Sequence, residues 1–193
     1  MTSPMTQSTS EVLAAQGWAV VESPELKSLS LLLYEKALQQ KARFHPAGIG
    51  RGPELQRLEQ IRSDAIEWQD FEPGSQPHDF LSGLQAQLNE AFFLGLKEWE
   101  CHFAHYSQGG HYDWHIDQSR SRGSFERVMT FVFYLNPEWR PEWGGELEIA
   151  DIPPILPEGG KLVLFKSQTI QHRVKPCQHD RWSLTGWFLR SSL

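Results

Sequence analysis

From Lys97 to the C-terminus the chain breaks into short runs, EWECHFAHY, YDWHID, RVMTFVFYL, GELEIA, KLVLF, TIQHRV and RWSLTGWFL, separated by Gly, Pro and Asn. β-branched and aromatic residues fill most of these runs, and turn formers punctuate the gaps between them. No helical period links one run to the next, which removes a parallel sheet with crossover helices. What remains is a mainly β fold, an antiparallel sandwich or jelly roll whose strands share one interior.

The first half reads mainly as helix. Ser10 stands as the cap of a short helix ended by Gly17, and WAVVE follows as a strand. Ser23-Pro24-Glu25 is a cap followed by proline at the first helical position, and Leu26, Leu29, Leu32, Leu33 and Leu38 follow at roughly helical spacing. The segment 24–42 is therefore expected to be an amphipathic helix, ended by a loop at HPAGIGRGP. A further helix is expected over about 77–94, with Phe80, Leu81, Leu84, Leu88 and the apolar cluster at 91–94 as its buried stripe. The organisation expected is a disordered start over 1–10 and one domain over 11–193, with helical support over 11–96 and a jelly-roll core over 97–190.

Bulk properties exclude several classes. At 193 residues the chain suits one domain with a real core. Its net charge of -6 and scattered Lys and Arg argue against a general binder of nucleic-acid phosphates. Cys101 and Cys177 are too few for a disulfide scaffold, so a reducing, cytoplasmic location is expected. MTSPMTQSTS lacks a basic region followed by an apolar run, and no segment has the apolar length of a membrane span. Eight Trp and eleven Phe provide large side chains both for a core and for the walls of a pocket.

Side chains alternate across a strand, so residue parity reports which of them share a face. In HYDWHID the odd positions His111, Asp113, His115 and Asp117 are polar, while Tyr112, Trp114 and Ile116 take the other face. That polar face points either to water or into a polar cavity. In TIQHRV, His172 shares a face with Ile170 and Val174, as a satisfied core histidine or a ligand would. In RWSLTGWFL, Arg181, Ser183 and Thr185 share a face; a guanidinium beside two hydroxyls suits an anion pocket as well as a solvent-facing strand.

Together the three faces supply imidazoles, a carboxylate and an arginine from separate strands. Two His and one carboxylate on one side of a metal, with open positions opposite, suit non-haem Fe(II). His-x-Asp serves this chemistry because residues two apart in a strand project to the same side. His111 and His115 lie four residues apart, roughly 13 Å along a strand, so only one of the two His-x-Asp pairs serves a given ion.

At this point the chain resembles the Fe(II)- and 2-oxoglutarate-dependent dioxygenases, and within them the prolyl hydroxylases of the oxygen-sensing type and their bacterial relatives. HYSQGGHYDWHID is similar to the family's Tyr, Gly-containing turn, Tyr and His-x-Asp run. TFVFYLN and EWGGELEI resemble its tyrosine-bearing strand and Gly-Gly turn, RWSLTGWF its Arg-x-Ser-x-Thr-x-Trp strand, and IRSDAIEW its Arg-x-Asp-x-Ile-x-Trp segment. The similarity covers about residues 57–190, and the placing of Tyr112 three residues before His115 selects the second His-x-Asp pair.

The resemblance implies a double-stranded β-helix (jelly roll) core packed against the N-terminal helices. It implies Fe(II) held by His115, Asp117 and His172, and 2-oxoglutarate paired through its far carboxylate with Arg181, aided by Tyr134 and Thr185. Tyr106, Leu147 and Trp187 would line the pocket, core packing being the alternative role for each. Asp64 and Arg127 match positions near the substrate entrance, although an exposed salt bridge would also account for them. His105 and His111 are expected to face water.

The implied reaction hydroxylates a prolyl residue of a protein with O2, converting 2-oxoglutarate to succinate and carbon dioxide. A translation factor is one candidate substrate, with no nucleic-acid or membrane partner. Three alternatives compete: a hydroxylase of free proline or another small molecule, a nucleic-acid demethylase, and a non-enzymatic cupin-like binding module. Demethylases typically carry a further Arg where this chain has Trp187, and a mere metal site has no need of Arg181.

Overall fold

The three longest strands lie side by side, and around them the rest of the chain is arranged. In this computed structural model, which describes residues 5–48, 56–117 and 125–191, the elements are α1 (Gln7–Gln16), β1 (Trp18–Val21), α2 (Pro24–Gln39), β2 (His45–Pro46), β3 (Ala65–Gln69), α3 (Gln76–Phe92), β4 (Leu96–Tyr106), β5 (Tyr112–His115), β6 (Phe125–Tyr134), β7 (Leu147–Ile149), β8 (Leu162–Lys166), β9 (His172–Val174) and β10 (Arg181–Ser191). They form a seven-stranded antiparallel sheet in the order β1-β8-β6-β10-β4-β3-β2 and a three-stranded sheet in the order β5-β9-β7. The expected mainly β jelly roll with helices packed against it is what the chain adopts.

Strand alternation gives the large sheet two different faces. Phe131, Phe133, Phe103, Leu184 and Phe188 pack with Leu26, Leu29 and Leu33 of α2 and Leu81, Leu84 and Leu88 of α3. Each fully buried Leu or Phe contributes on the order of 2 kcal/mol, so this layer is the main source of stability. On the other face Val132, Tyr134, Val163 and Phe165 meet Leu147, Ile149 and Val174 of the small sheet. Gly186, in the middle of β10, lets the strands close up. A Cβ there would lie 2.4 Å from the Glu100 carbonyl oxygen and 2.6 Å from the Phe131 ring.

Several boundaries differ from expectation, each for a local reason. The first helix is capped by Thr6, whose side chain accepts from the Thr9 N–H, and not by Ser10, whose hydroxyl donates to the Thr6 carbonyl. Residues 7–10, expected to be disordered, are thus helical, and Met5 ahead of them is buried; residues 1–4 lie outside the described residues. Helix α2 does begin with Ser23 as cap and Pro24 in its first turn, but it ends at Gln39, followed by a short 3-10 turn over Lys41–Arg43. Leu32 and Leu38 fall off its buried stripe and are exposed. Helix α3 ends at Phe92 because Phe93 turns into the left-handed region, which leaves its ring 91% exposed.

The segment read as a loop at HPAGIGRGP begins with the two-residue strand β2, and its residues 49–53 lie outside the described residues. β2 pairs with β3, formed by AIEWQ and extending the large sheet next to β4. Cys101 and Cys177 are both buried and unpaired. No described helix is long and apolar enough to cross a membrane.

Candidate active site

The small sheet and the large sheet enclose a pocket whose walls come from β4, β5, β6, β7, β9 and β10, with Arg62 and Asp64 from the segment before β3 and Asp117 from the segment after β5. His115 ends β5, Asp117 follows it, and His172 begins β9, opposite His115 in the register. One ligand atom from each of the three lies within 4.8 Å of the others. His115 Nε2 is 3.6 Å from Asp117 Oδ1 and His172 Nε2 is 3.7 Å from Asp117 Oδ2, too far for hydrogen bonds and close enough to share one ion.

Backbone carbonyls set both imidazoles. His115 Nδ1 donates to the Asp113 carbonyl at 2.7 Å, and His172 Nδ1 donates to the Ile170 carbonyl at 3.1 Å. A carbonyl only accepts, so each Nδ1 carries the proton and each Nε2 keeps its lone pair for a metal. Burial, followed by the neighbouring His172, pushes the His115 imidazole down to about 4. Burial acts to raise the Asp117 carboxyl, but His172 and His115 together hold it below its usual range. Neutral imidazoles and an ionised carboxylate are the forms that ligate.

Strand parity misplaces one residue here. It puts Tyr112 on the face opposite His115, yet the two rings stack at 3.5 Å and 15°, and Tyr112 lines the pocket. The register between β5 and β9 shifts between Tyr112 and His115, and such an irregularity turns a side chain to the other face. Trp114 stays outside, half-exposed under Arg173. His111 lies outside the pocket and is half-exposed, with its Nε2 3.2 Å from the Gln60 carbonyl at the surface and its backbone N–H donating to Ser63 Oγ.

At the closed end of the pocket Arg181 is 1% exposed. Its Nε donates to the Gly145 carbonyl at 2.9 Å, and its guanidinium lies 5.0 Å from the ring centres of both Tyr106 and Tyr134. Among the described residues no carboxylate lies within ion-pairing distance of it. The Tyr134 hydroxyl beside it is enclosed and has no hydrogen-bond partner of good geometry. A buried cation and an orphaned donor at one spot await an anion, and a dicarboxylate fits them. Ser183 and Thr185 hydroxyls, 3.2 Å apart, continue the polar wall, while Val132, Leu147 and Val174 close the apolar side.

The pair expected near the entrance is not exposed. Asp64 is 2% exposed and accepts Arg62 Nε and Nη2 at 2.6 and 2.9 Å, a bidentate pair in the pocket wall. Burial acts to lower the Arg62 guanidinium, but Asp64 more than offsets it and holds the charge. Arg127 pairs with Glu100 at 2.7 Å and lies 3.3 Å over the Trp187 ring, with both charged side chains largely buried. His105, expected in water, instead stacks on Trp182 at 4.0 Å beside Asp180.

The pocket histidine on β4 was not singled out from the sequence. His102 is 2% exposed, packs between the rings of Trp68 and Trp187, and its Nδ1 has no partner. Burial, then Arg62 and Arg127, hold it well below the usual histidine range. Its even parity with Ala104 and Tyr106 on β4 was the available signal.

Three residues able to hold a metal ion and a buried arginine inside a double-stranded β-helix are what a metal-dependent oxygenase with an anionic co-substrate requires. The profile of the 2OG-Fe(II) oxygenase superfamily matches residues 101–189. A solved structure of a Pseudomonas putida prolyl-4-hydroxylase is 33% identical, with a TM-score of 0.79 over 96% of this chain and 99% of that one. The chain belongs to the 2OG-Fe(II) oxygenase superfamily, in its prolyl hydroxylase type, and the cofactors of that family are Fe(II), 2-oxoglutarate and O2.

Two more distant structures share the fold. A Trichoplax adhaerens prolyl hydroxylase, solved with a peptide fragment of the hypoxia inducible factor oxygen degradation domain, is 23% identical with a TM-score of 0.69, covering 93% of this chain and 86% of that one. A viral collagen prolyl hydroxylase from Paramecium Bursaria Chlorella virus-1 is 16% identical with a TM-score of 0.63, covering 94% and 99%.

Proposed function

We propose that this protein hydroxylates a prolyl residue within a protein substrate. The observation that carries the reading is that one pocket holds both the His115, Asp117 and His172 cluster and a buried Arg181 that no described carboxylate neutralises. A metal site alone has no use for that cation, whereas a co-substrate with a far carboxylate does. The choice of proline is supported by near full-length similarity to the Pseudomonas putida prolyl-4-hydroxylase and by the Arg62-x-Asp64-x-Ile66-x-Trp68 segment beside the pocket.

Each residue then has a role. His115, Asp117 and His172 hold the iron, and the stacked Tyr112 ring restrains His115 from rotating. Arg181 grips the far carboxylate of 2-oxoglutarate, with the Tyr134 hydroxyl donating to it and Thr185 alongside. Tyr106, Leu147 and Trp187 wall the pocket against water, which strengthens every charge contact inside it. Asp64 anchors Arg62, and Glu100 anchors Arg127, on the side of the pocket where substrate would enter. Bound Fe(II) and 2-oxoglutarate supply the oxidising chemistry, inserting one atom of O2 into a C–H bond and releasing succinate and carbon dioxide.

In this reading residues 11–193 act as one domain, and the two buried, unpaired thiols suit a reducing cytoplasm. The substrate is a proline-containing protein, and a translation factor is the candidate to try first. Mixing the protein with Fe(II) and 2-oxoglutarate without oxygen should produce a visible charge-transfer absorption. Once O2 is admitted, succinate formation should be stimulated by proline-containing protein and not by free proline. Stimulation by free proline alone would reassign the enzyme to small-molecule hydroxylation.

A further inference from the structure

The carboxylate of Asp117 is secured from the opposite sheet. Asp117 lies beyond the end of β5, outside any strand, while both imidazoles stand on paired strands of the small sheet. Its Oδ2 accepts a hydrogen bond from Thr130 Oγ1 at 2.9 Å, and Thr130 belongs to β6 of the large sheet. Thr130 Oγ1 is in turn 2.9 Å from Ser167 Oγ, and Thr130 and Ser167 are both 0% exposed.

The direction of these protons follows from the inventory of donors. An ionised carboxylate only accepts, so the single hydroxyl proton of Thr130 points to Asp117, and Ser167 donates its own to Thr130. Ser167 is itself anchored, its backbone N–H donating to the Val128 carbonyl at 3.0 Å. Thr130 is locked in register between Phe165 of β8 and Trp187 of β10. The relay therefore ends on rigid sheet backbone at one side and on a metal ligand at the other.

We propose that Thr130, backed by Ser167, is a positioning residue that presents the Asp117 carboxylate to the metal. A carboxylate on an irregular segment would otherwise have to give up side-chain freedom each time an ion binds; the buried hydroxyl gives it one orientation beforehand. The hydrogen bond takes up Oδ2, and Oδ1 faces His115 Nε2. Ser167 orients the Thr130 proton and polarises it, so its effect acts only through Thr130. The proposal rests on the metal assignment above and on no choice of substrate.

Mn(II), which binds such sites without oxidation, is the probe, with affinity measured by titration calorimetry and by loss of the free-ion paramagnetic resonance signal. Thr130→Val keeps the shape and removes the hydroxyl; it should weaken Mn(II) binding roughly 10–100-fold, the usual effect of deleting a group behind a metal ligand. Thr130→Ser should bind within about threefold of the parent, since the donor remains. Ser167→Ala should weaken binding severalfold alone and add nothing on top of Thr130→Val.

A purely structural role would lower the melting temperature of Thr130→Val and leave Mn(II) affinity untouched, and that result would overturn the proposal. Additive effects of the two substitutions would overturn the relay. Should Thr130→Val not fold, Thr130→Ala and Ser167→Ala decide, and unchanged Mn(II) affinity in whichever of them folds would overturn the proposal of Thr130 backed by Ser167. A parent protein that does not bind Mn(II) at all would count against the metal assignment itself.

Discussion

Replacing Arg181 by Met removes the guanidinium but keeps an unbranched chain between the Tyr106 and Tyr134 rings. Without co-substrate the opposing contributions nearly cancel. The substitution gives up a hydrogen bond to the Gly145 carbonyl, about 1 kcal/mol, and contacts with two rings, on the order of 1 kcal/mol each. It also removes a 1% exposed cation that no described carboxylate neutralises, whose desolvation costs several kcal/mol. The variant should therefore melt within about 4 °C of the parent, equivalent to roughly 1 kcal/mol.

With Mn(II) bound and 2-oxoglutarate at about a hundred times its dissociation constant, the parent gains about 2.7 kcal/mol. That raises its melting temperature by roughly 5–10 °C. The variant loses a buried charge pair worth about 2–5 kcal/mol, weakening the co-substrate roughly 30-fold to several thousand-fold. At the same concentration it should gain less than about 0.9 kcal/mol. Thermal melting followed by circular dichroism, with and without 2-oxoglutarate, measures both quantities. A variant that keeps the full shift would refute the assignment of Arg181, and one that collapses without co-substrate would refute the charge accounting.

Substituting His115→Ala or Asp117→Ala should abolish both turnover and the anaerobic visible absorption, whereas His111→Ala should keep both, since its ring reaches the Gln60 carbonyl and not the cluster; loss of the absorption in a folded His111→Ala protein would sink the choice of pair. Asp64→Ala leaves Arg62 buried with its carboxylate partner gone and should destabilise the protein by about 3–5 kcal/mol in urea unfolding, and a change below about 1 kcal/mol would show that water replaces the partner freely. Stability of the metal-free protein should also fall on acidification. His102, His105 and His115 are all depressed in the folded state, burial being the first cause of each. The unfolded chain thus binds more protons below about pH 6.5, and each histidine adds a slope of up to about 1.4 kcal/mol per pH unit between that value and its folded pKa. This contribution is complete above about pH 6.5 and lost below it; urea midpoints that stay flat from pH 7 to pH 5 would contradict the burial of these rings.

Much of the site was legible because alternation along a strand is a property of the chain itself. His172 and Val174 on one face of β9, and Arg181, Ser183 and Thr185 on one face of β10, line the pocket as their parity requires. Tyr112 defeated the same rule, since the irregularity that turns it onto His115 exists only in the pairing of β5 with β9. The resemblance places Asp64 and Arg127 near a substrate entrance, with an exposed salt bridge as the alternative; their burial depends on the packing of the pocket wall, where Asp64 pairs with its neighbour Arg62 and Arg127 with Glu100 from the adjoining part of the large sheet.

What the sequence determined by itself was the mainly β class, the helical support and which polar side chains share a strand face, because periodicity is written residue by residue; the choice of His115 and Asp117 over His111 and Asp113 came from the family resemblance. The tertiary structure alone decided that His102 sits between two tryptophans with its Nδ1 unpartnered, that Arg181 has no described counter-carboxylate, and that Thr130 and Ser167 stand behind Asp117. Thr130 and Ser167 are 37 residues apart and meet through the pairing of β6 with β8. Such contacts follow from strand register and sheet packing, which arise only when distant segments compete for the same buried space.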